Sequence, residues 1–166
     1  MAEIHVSGLK ELNQFLETLP TKIQANVMRG SLRAGVKVIQ PVAKANVNSV
    51  SGLLAAGLKI STRSRGGTVT ASLRATGKHA YIAPWVEFGT KAHPIPKRGV
   101  IGTILAIGGR FFRSVEHPGA RPKPFMRPAL DGQAQNAVIA AAQYMRDRLA
   151  SKHGLDTADI VIEGDE

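Results

Sequence analysis

Apolar residues recur at intervals of three and four near the start of the chain. Leu9, Leu12, Leu16 and Leu19 form the stripe of a short amphipathic helix over 7–19, which Pro20 stops. Thr21 with Gln24 three residues on has the form of a capping box, and Ile23, Val27, Ala34, Val38 and Val42 extend one face of a second, longer helix toward residue 46. Pro41 withdraws a backbone donor and predicts a kink or a break there. After Ser51-Gly52 the pattern changes. Two β-rich runs, 58–62 and 68–73, flank Arg63-Ser64-Arg65-Gly66-Gly67, which reads as the turn of a hairpin. Residues 79–88 bring Tyr81 and Trp85 into a segment interrupted by Pro84, a short irregular helix or strand expected to pack on the sheet.

A second hairpin follows, with 100–107 and 110–115 on either side of Gly108-Gly109, a dipeptide suited to the positive φ angles of a two-residue turn. Prolines stiffen both attachments, His93-Pro94-Ile95-Pro96 leading in and His117-Pro118 through Pro124 leading out, so the hairpin reads as an arm. Both faces of its first strand are apolar, more than an exposed hairpin can leave in water, and Ile101, Ile104, Leu105, Phe111 and Phe112 are expected to pack on an adjacent subunit or into the chain's own core. Pro128 then opens a last helix with Ala134, Ala137, Val138, Ala141, Met145 and Leu149 on one face, ending at Lys152-His153-Gly154. Its alanines let a neighbouring helix approach closely.

The elements predict an α+β fold, an antiparallel β-sheet against a long N-terminal and a long C-terminal helix, with a protruding β-hairpin. One domain over 1–153, including the arm at about 97–117, precedes an acidic tail over 154–166. At 166 residues and 43% hydrophobic the chain has one modest core and little room for a second. No apolar run is long enough to span a bilayer, and the first residues lack the charged start and apolar block of a secretion signal, so synthesis in the cytoplasm is expected. The absence of cysteine excludes disulfides, thiolate metal sites and thiol nucleophiles.

Charge is uneven. The tail holds five of the twelve acids and no Lys or Arg, leaving 22 basic against seven acidic residues before it. A basic body attracts nucleic acid or an acidic protein surface, and the count does not separate the two. Arg63, Arg65 and Arg74 are candidate contacts for phosphates or for an acidic partner, without a recognition helix or aromatic platform to read bases. The apolar Ile160-Val161-Ile162 is expected either to add a strand to a neighbour or to be disordered with the rest of the tail.

Candidate chemistry is thin. His93 and His117 are placed to meet at the arm's base, yet no third ligand has matching spacing, and each His-Pro is ordinary turn chemistry. HExxH, GxSxG and CxxC motifs are absent. Glu87, beside Trp85 and Phe88, reads as a structural partner for a nearby arginine or backbone amide rather than as a catalytic acid. Both Gly-Gly pairs join strand to strand, whereas a phosphate cradle needs a strand-to-helix turn. The expectation is a protein without enzymatic activity, metal or cofactor.

The segment from Val86-Glu87-Phe88-Gly89-Thr90 through His117-Pro118-Gly119 to Pro124-Phe125-Met126-Arg127-Pro128-Ala129-Leu130-Asp131 resembles the tail-completion or head-tail joining proteins of tailed bacteriophages. Gly8-Leu9-Lys10-Glu11-Leu12, Ala34-Gly35 and Ser51-Gly52-Leu53-Leu54 extend the likeness over nearly the whole chain. The resemblance implies a structural α+β subunit of the virion neck, made in the host cytoplasm and assembled as a six-fold ring of identical subunits. Its partners would be the head connector or stopper protein and the tail terminator, with contact to packaged DNA left open and no membrane partner. It implies structural roles for Glu87, Phe88 and Gly89 at a turn, and for Pro124, Phe125, Arg127 and Pro128 in fixing the start of the last helix. The reading from another class is a non-specific DNA-binding protein with a basic face.

Overall fold

The computed structural model describes residues 9–47, 52–95, 105–156 and residue 162. Two long helices form its frame. After the short α1 (Leu9–Glu17), α2 runs from Thr21 to Asn46 and α5 from Met126 to His153, and their mutual packing is the most extensive in the chain. Gly35 lies opposite Ala137, Ser31 opposite Ala141 and Ala43 in one cluster with Ala129, so the helices run antiparallel. Their approach depends on small residues. A Cβ on Gly35 would stand 2.7 Å from the carbonyl oxygen of Ala137, and the Ser31 hydroxyl donates to the Ala141 carbonyl at 2.9 Å.

Between them lie α3 (Leu53–Ala56), the hairpin of β1 (Leu58–Arg65) and β2 (Thr68–Ala75), a 3₁₀ turn (Ala80–Ile82), α4 (Ala83–Phe88), and the short strands β3 (His93–Ile95), β4 (Leu105–Ile107), β5 (Arg110–Phe112) and β6 (Val115–His117). The strands form three antiparallel two-stranded ribbons, β1-β2, β3-β6 and β4-β5. This is the expected α+β arrangement, with β1 and β2 packed against α2.

The core has two clusters. At one end Leu12, Leu16, Val27, Ala142 and Leu149 close around Ile162; at the other Phe125, Leu58, Leu54, Ala43, Ala83 and Ala129 join both long helices to β1, α3 and α4. Phe125 is the largest fully buried side chain.

Several expectations change. Thr21 makes no cap: Pro20 holds the N-cap position, and Gln24 instead donates from Nε2 to the Leu19 carbonyl at 2.8 Å and the Glu17 carbonyl at 3.4 Å, closing the end of α1. Pro41 does not divide α2, because the same turns are anchored by Ile39, Val42 and Ala43 in the core. Arg63, Ser64 and Arg65 belong to β1, and the turn is Gly66-Gly67 alone, with φ of +56° and +78°. The 79–88 segment does form a short irregular helix, whose Ala83 and Val86 share a core cluster with Leu58 and Leu73 of the hairpin, but Tyr81 and Trp85 take no part in it. They touch each other edge to face at 5.4 Å and stay mostly exposed, while Ala83 and Val86 face the core. Ile162, expected to serve a neighbouring subunit, is only 2% exposed within its own chain, so its apolar surface is already covered. Ile160 and Val161 lie outside the described residues.

Candidate functional site

The two segments that carry the family resemblance are brought together and bonded at successive levels. Thr90 and Ala120 exchange backbone hydrogen bonds, Thr90 N–H to the Ala120 carbonyl at 2.9 Å and the reverse at 3.1 Å, and the Ala120 N–H also reaches the Thr90 hydroxyl. One step further in, the Lys123 N–H donates to the Val86 carbonyl at 2.7 Å. Beyond it the Glu87 side chain meets the start of α5.

That helix begins without a capping residue of its own, since Phe125 occupies the N-cap position. Glu87 supplies the cap from α4. Its Oε2 accepts from the N–H groups of Phe125 at 2.8 Å and Met126 at 2.9 Å, and its Oε1 accepts from Arg127 at 3.0 Å. Pro128, the next residue, has no N–H to satisfy. The donors that a helix N-terminus leaves unpaired are thus met, and the carboxylate sits at the positive end of the helix dipole. Glu87 is 8% exposed. Burial pushes its pKa up, but the N–H groups of Met126, Phe125 and Arg127 and the Arg127 charge outweigh it, and the net displacement is downward. The expectation of a backbone-amide partner holds, and such a carboxylate is an anchor rather than a proton carrier.

The surrounding positions of the motif serve the same junction. Gly89 has φ +72° and ψ −174°, a region open almost only to glycine, and a Cβ there would lie 2.5 Å from the Ala120 carbonyl oxygen and 2.8 Å from the Pro122 nitrogen. Gly119, also at positive φ, faces the Thr90 carbonyl as closely. Phe88 stays on the surface, its ring 5.9 Å from the Arg127 guanidinium, a weak exposed cation-π contact. Pro124 immediately precedes buried Phe125, in whose side chain the junction is keyed into the core.

The arm springs from this junction. Its base is the β3-β6 ribbon, in which His93 pairs with His117, so the arm starts a few residues before the expected 97. The imidazole centroids are 5.1 Å apart. His93 Nδ1 lies 2.9 Å from the Lys91 carbonyl and must donate to it, whereas His117 Nδ1 accepts from the Gly119 N–H at 3.0 Å. Each Nδ1 is therefore committed to the backbone. Among the described residues no group of three or more His, Cys, Asp or Glu side chains surrounds a common point. A cleft of about 470 Å³ at the arm's base is lined by Trp85, Val86, His93 and His117, with Arg121 and Lys123 at its side.

At the tip, β4 and β5 pair through Leu105 with Phe112, Ala106 with Phe111 and Ile107 with Arg110, turning at Gly108-Gly109. Phe111 is 77% exposed, and Ile107 and Phe112 are also open to solvent. Ile101 and Ile104 lie outside the described residues, and of Leu105 only the backbone is described. An open groove of about 490 Å³ between α2 and α5 forms a separate apolar surface, lined by Met28, Leu32, Val36, Val138 and Met145. Arg63, Arg65 and Arg74 all stand exposed on the β1-β2 ribbon. The sequence reading missed the groove because its larger residues, such as Met28, Leu32, Val36 and Val138, come from two helices far apart in the chain; the missing cap before Met126 was the signal that Glu87 had to come from elsewhere.

Comparison with protein-family models, with curated proteins and with solved structures finds no match for this chain.

Proposed function

We propose that the chain is a structural subunit of a tailed-bacteriophage neck, assembling with identical copies as a ring that completes the tail and joins it to the head. The carrying observation is the arm: an apolar tip with Phe111, Phe112 and Ile107 in water, on a base stiffened by prolines and fixed to a fully bonded junction. Exposed aromatic side chains concentrated at the end of a projecting hairpin favour contact with another molecule. The groove between α2 and α5 is a second apolar surface of the same chain and differs from the first. Contact between two unlike patches of identical subunits is head-to-tail, the geometry that makes a ring when the rotation closes and an open filament when it does not. The resemblance of the 86–90 and 117–131 segments to neck proteins supports the neck as the place, and the direct bonding between those segments gives them a common structural purpose.

Because the chain has no cysteine, paired thiols are a clean probe. Phe111→Cys combined with Val138→Cys, treated with a short bismaleimide in cells assembling particles, is expected to yield a ladder that ends at the ring's copy number. Either single variant should give no species beyond a dimer. A double variant that also stops at the dimer would reject head-to-tail contact between tip and groove.

A further inference from the structure

Between Glu17 and Glu87 the chain contains no Asp or Glu, yet it holds ten Lys and Arg. Those ten match the whole molecule's net charge of +10, and the remaining residues carry twelve of each sign. The excess charge is thus confined to one segment, and the fold arranges nine of the ten on two surfaces.

On α2, Lys22, Arg29, Arg33, Lys37 and Lys44 follow one another at intervals of seven, four, four and seven. This spacing keeps them on one side of the helix, away from buried Val27, Ser31 and Gly35. At 1.5 Å per residue the stripe is ~33 Å long. On the hairpin, strand alternation does the same. Lys59, Ser61, Arg63 and Arg65 share a face with their cross-strand partners Arg74, Ser72, Thr70 and Thr68, and all are exposed except half-buried Ser72. That face consists of four cations and four hydroxyls. Gln40, in line with the helical stripe, donates from Nε2 to the Leu58 carbonyl at 2.8 Å and joins the stripe to the start of the ribbon.

A face that serves only solubility mixes both signs, as the rest of this chain does. Here α2 and both strands lack any carboxylate, and like charges four residues apart, as at Arg29, Arg33 and Lys37, destabilise a free helix. A polyanion laid on the surface relieves that repulsion. Arg and Lys interleaved with Ser and Thr hydroxyls are the donors that phosphate oxygens take. Neither surface carries an aromatic ring on which unpaired bases would stack. The stripe's length is close to one turn of B-form duplex, about 34–36 Å.

We propose that the acid-free segment forms a binding surface for the phosphodiester backbone of duplex DNA, which it contacts without reading sequence. The proposal stands independently of the ring. It is tested by fluorescence anisotropy of labelled duplexes of unrelated sequence, titrated with the full chain from about 50 to 200 mM salt. The expected result is equal affinity for the duplexes, with a steep negative slope of log affinity against log salt. Replacing Lys59, Arg63, Arg65 and Arg74 together by Gln is expected to weaken binding at least ~10-fold and to flatten the slope by up to about 0.9 per lost contact. Replacing Arg110, Arg113, Lys123 and Lys152, the same charge from elsewhere, should change affinity no more than ~2-fold if binding is local. Equal losses in the two variants, or no duplex binding by the unaltered chain, would overturn the proposal. So would tight binding of polyglutamate in place of DNA, which would identify an acidic protein surface as the partner.

Discussion

At the Glu87 junction three backbone N–H groups converge on one carboxylate, a proline removes the next donor, and a phenylalanine is fully buried beside them. A short way along the same chain the arm tip does the reverse. Its backbone pairs across β4-β5 while Ile107, Phe111 and Phe112 remain in water. The junction's groups are satisfied within the chain, so changes there act on folding. The tip's apolar side chains are not, so changes there should leave the monomer nearly unaffected and, in the proposed ring, act on association.

The largest effect is expected for Glu87→Ala. It leaves the N–H groups of Phe125, Met126 and Arg127 without their acceptor in a largely buried site, and should cost about 3 kcal/mol, or a Tm lower by roughly 10 °C in calorimetry. The same anchor predicts a pH dependence. Because the folded pKa of Glu87 lies below its ordinary value of 4.5, the folded state binds fewer protons there than the unfolded state. Its contribution is complete above that value and is lost as pH falls through the folded pKa. The melting temperature of the unaltered chain should therefore drop in acid more steeply than that of Glu87→Ala.

A smaller effect is expected one residue pair further out. Gly89→Ala forces a Cβ toward the Ala120 carbonyl at a φ that L-residues rarely adopt, and should destabilise by about 2 kcal/mol in urea unfolding. An unchanged midpoint would show that the Thr90-Ala120 bridge can shift without penalty.

Much of this architecture was legible in the sequence. The leucine stripe before Pro20, the two Gly-Gly turns and the Pro-flanked arm all follow from local periodicity and backbone chemistry, and the pairing of His93 with His117 follows from their symmetric positions around the arm. The role of Glu87 was legible only in outline, since a backbone-amide partner could be foreseen but not the 38-residue separation between it and Phe125. Where local rules failed, tertiary packing had overridden them. Pro41 sits in an unbroken helix because its neighbours are anchored in the core, and Ile162 in an acidic tail fills a gap among Leu12, Leu16 and Leu149 that no periodicity announces. Tyr81 and Trp85 are apolar by composition, yet the smaller Ala83 and Val86 face inward from that segment.

The smallest effect on folding is expected at the tip. The double variant Phe111→Ser with Phe112→Ser should stay within about 0.5 kcal/mol of the unaltered chain. On the proposed role it should nonetheless fail to enter particles, measured as the chain's recovery in purified virions. Normal incorporation would remove the tip from the assembly interface.

The proposed ring at a tailed-phage neck is tested most directly by electron cryo-microscopy of intact particles released from cells that produce the chain. The expected result is a closed ring of this subunit at the head-tail junction, with the 105–112 tip of each copy against the α2-α5 groove of the next. Absence of the chain from the virion would contradict it.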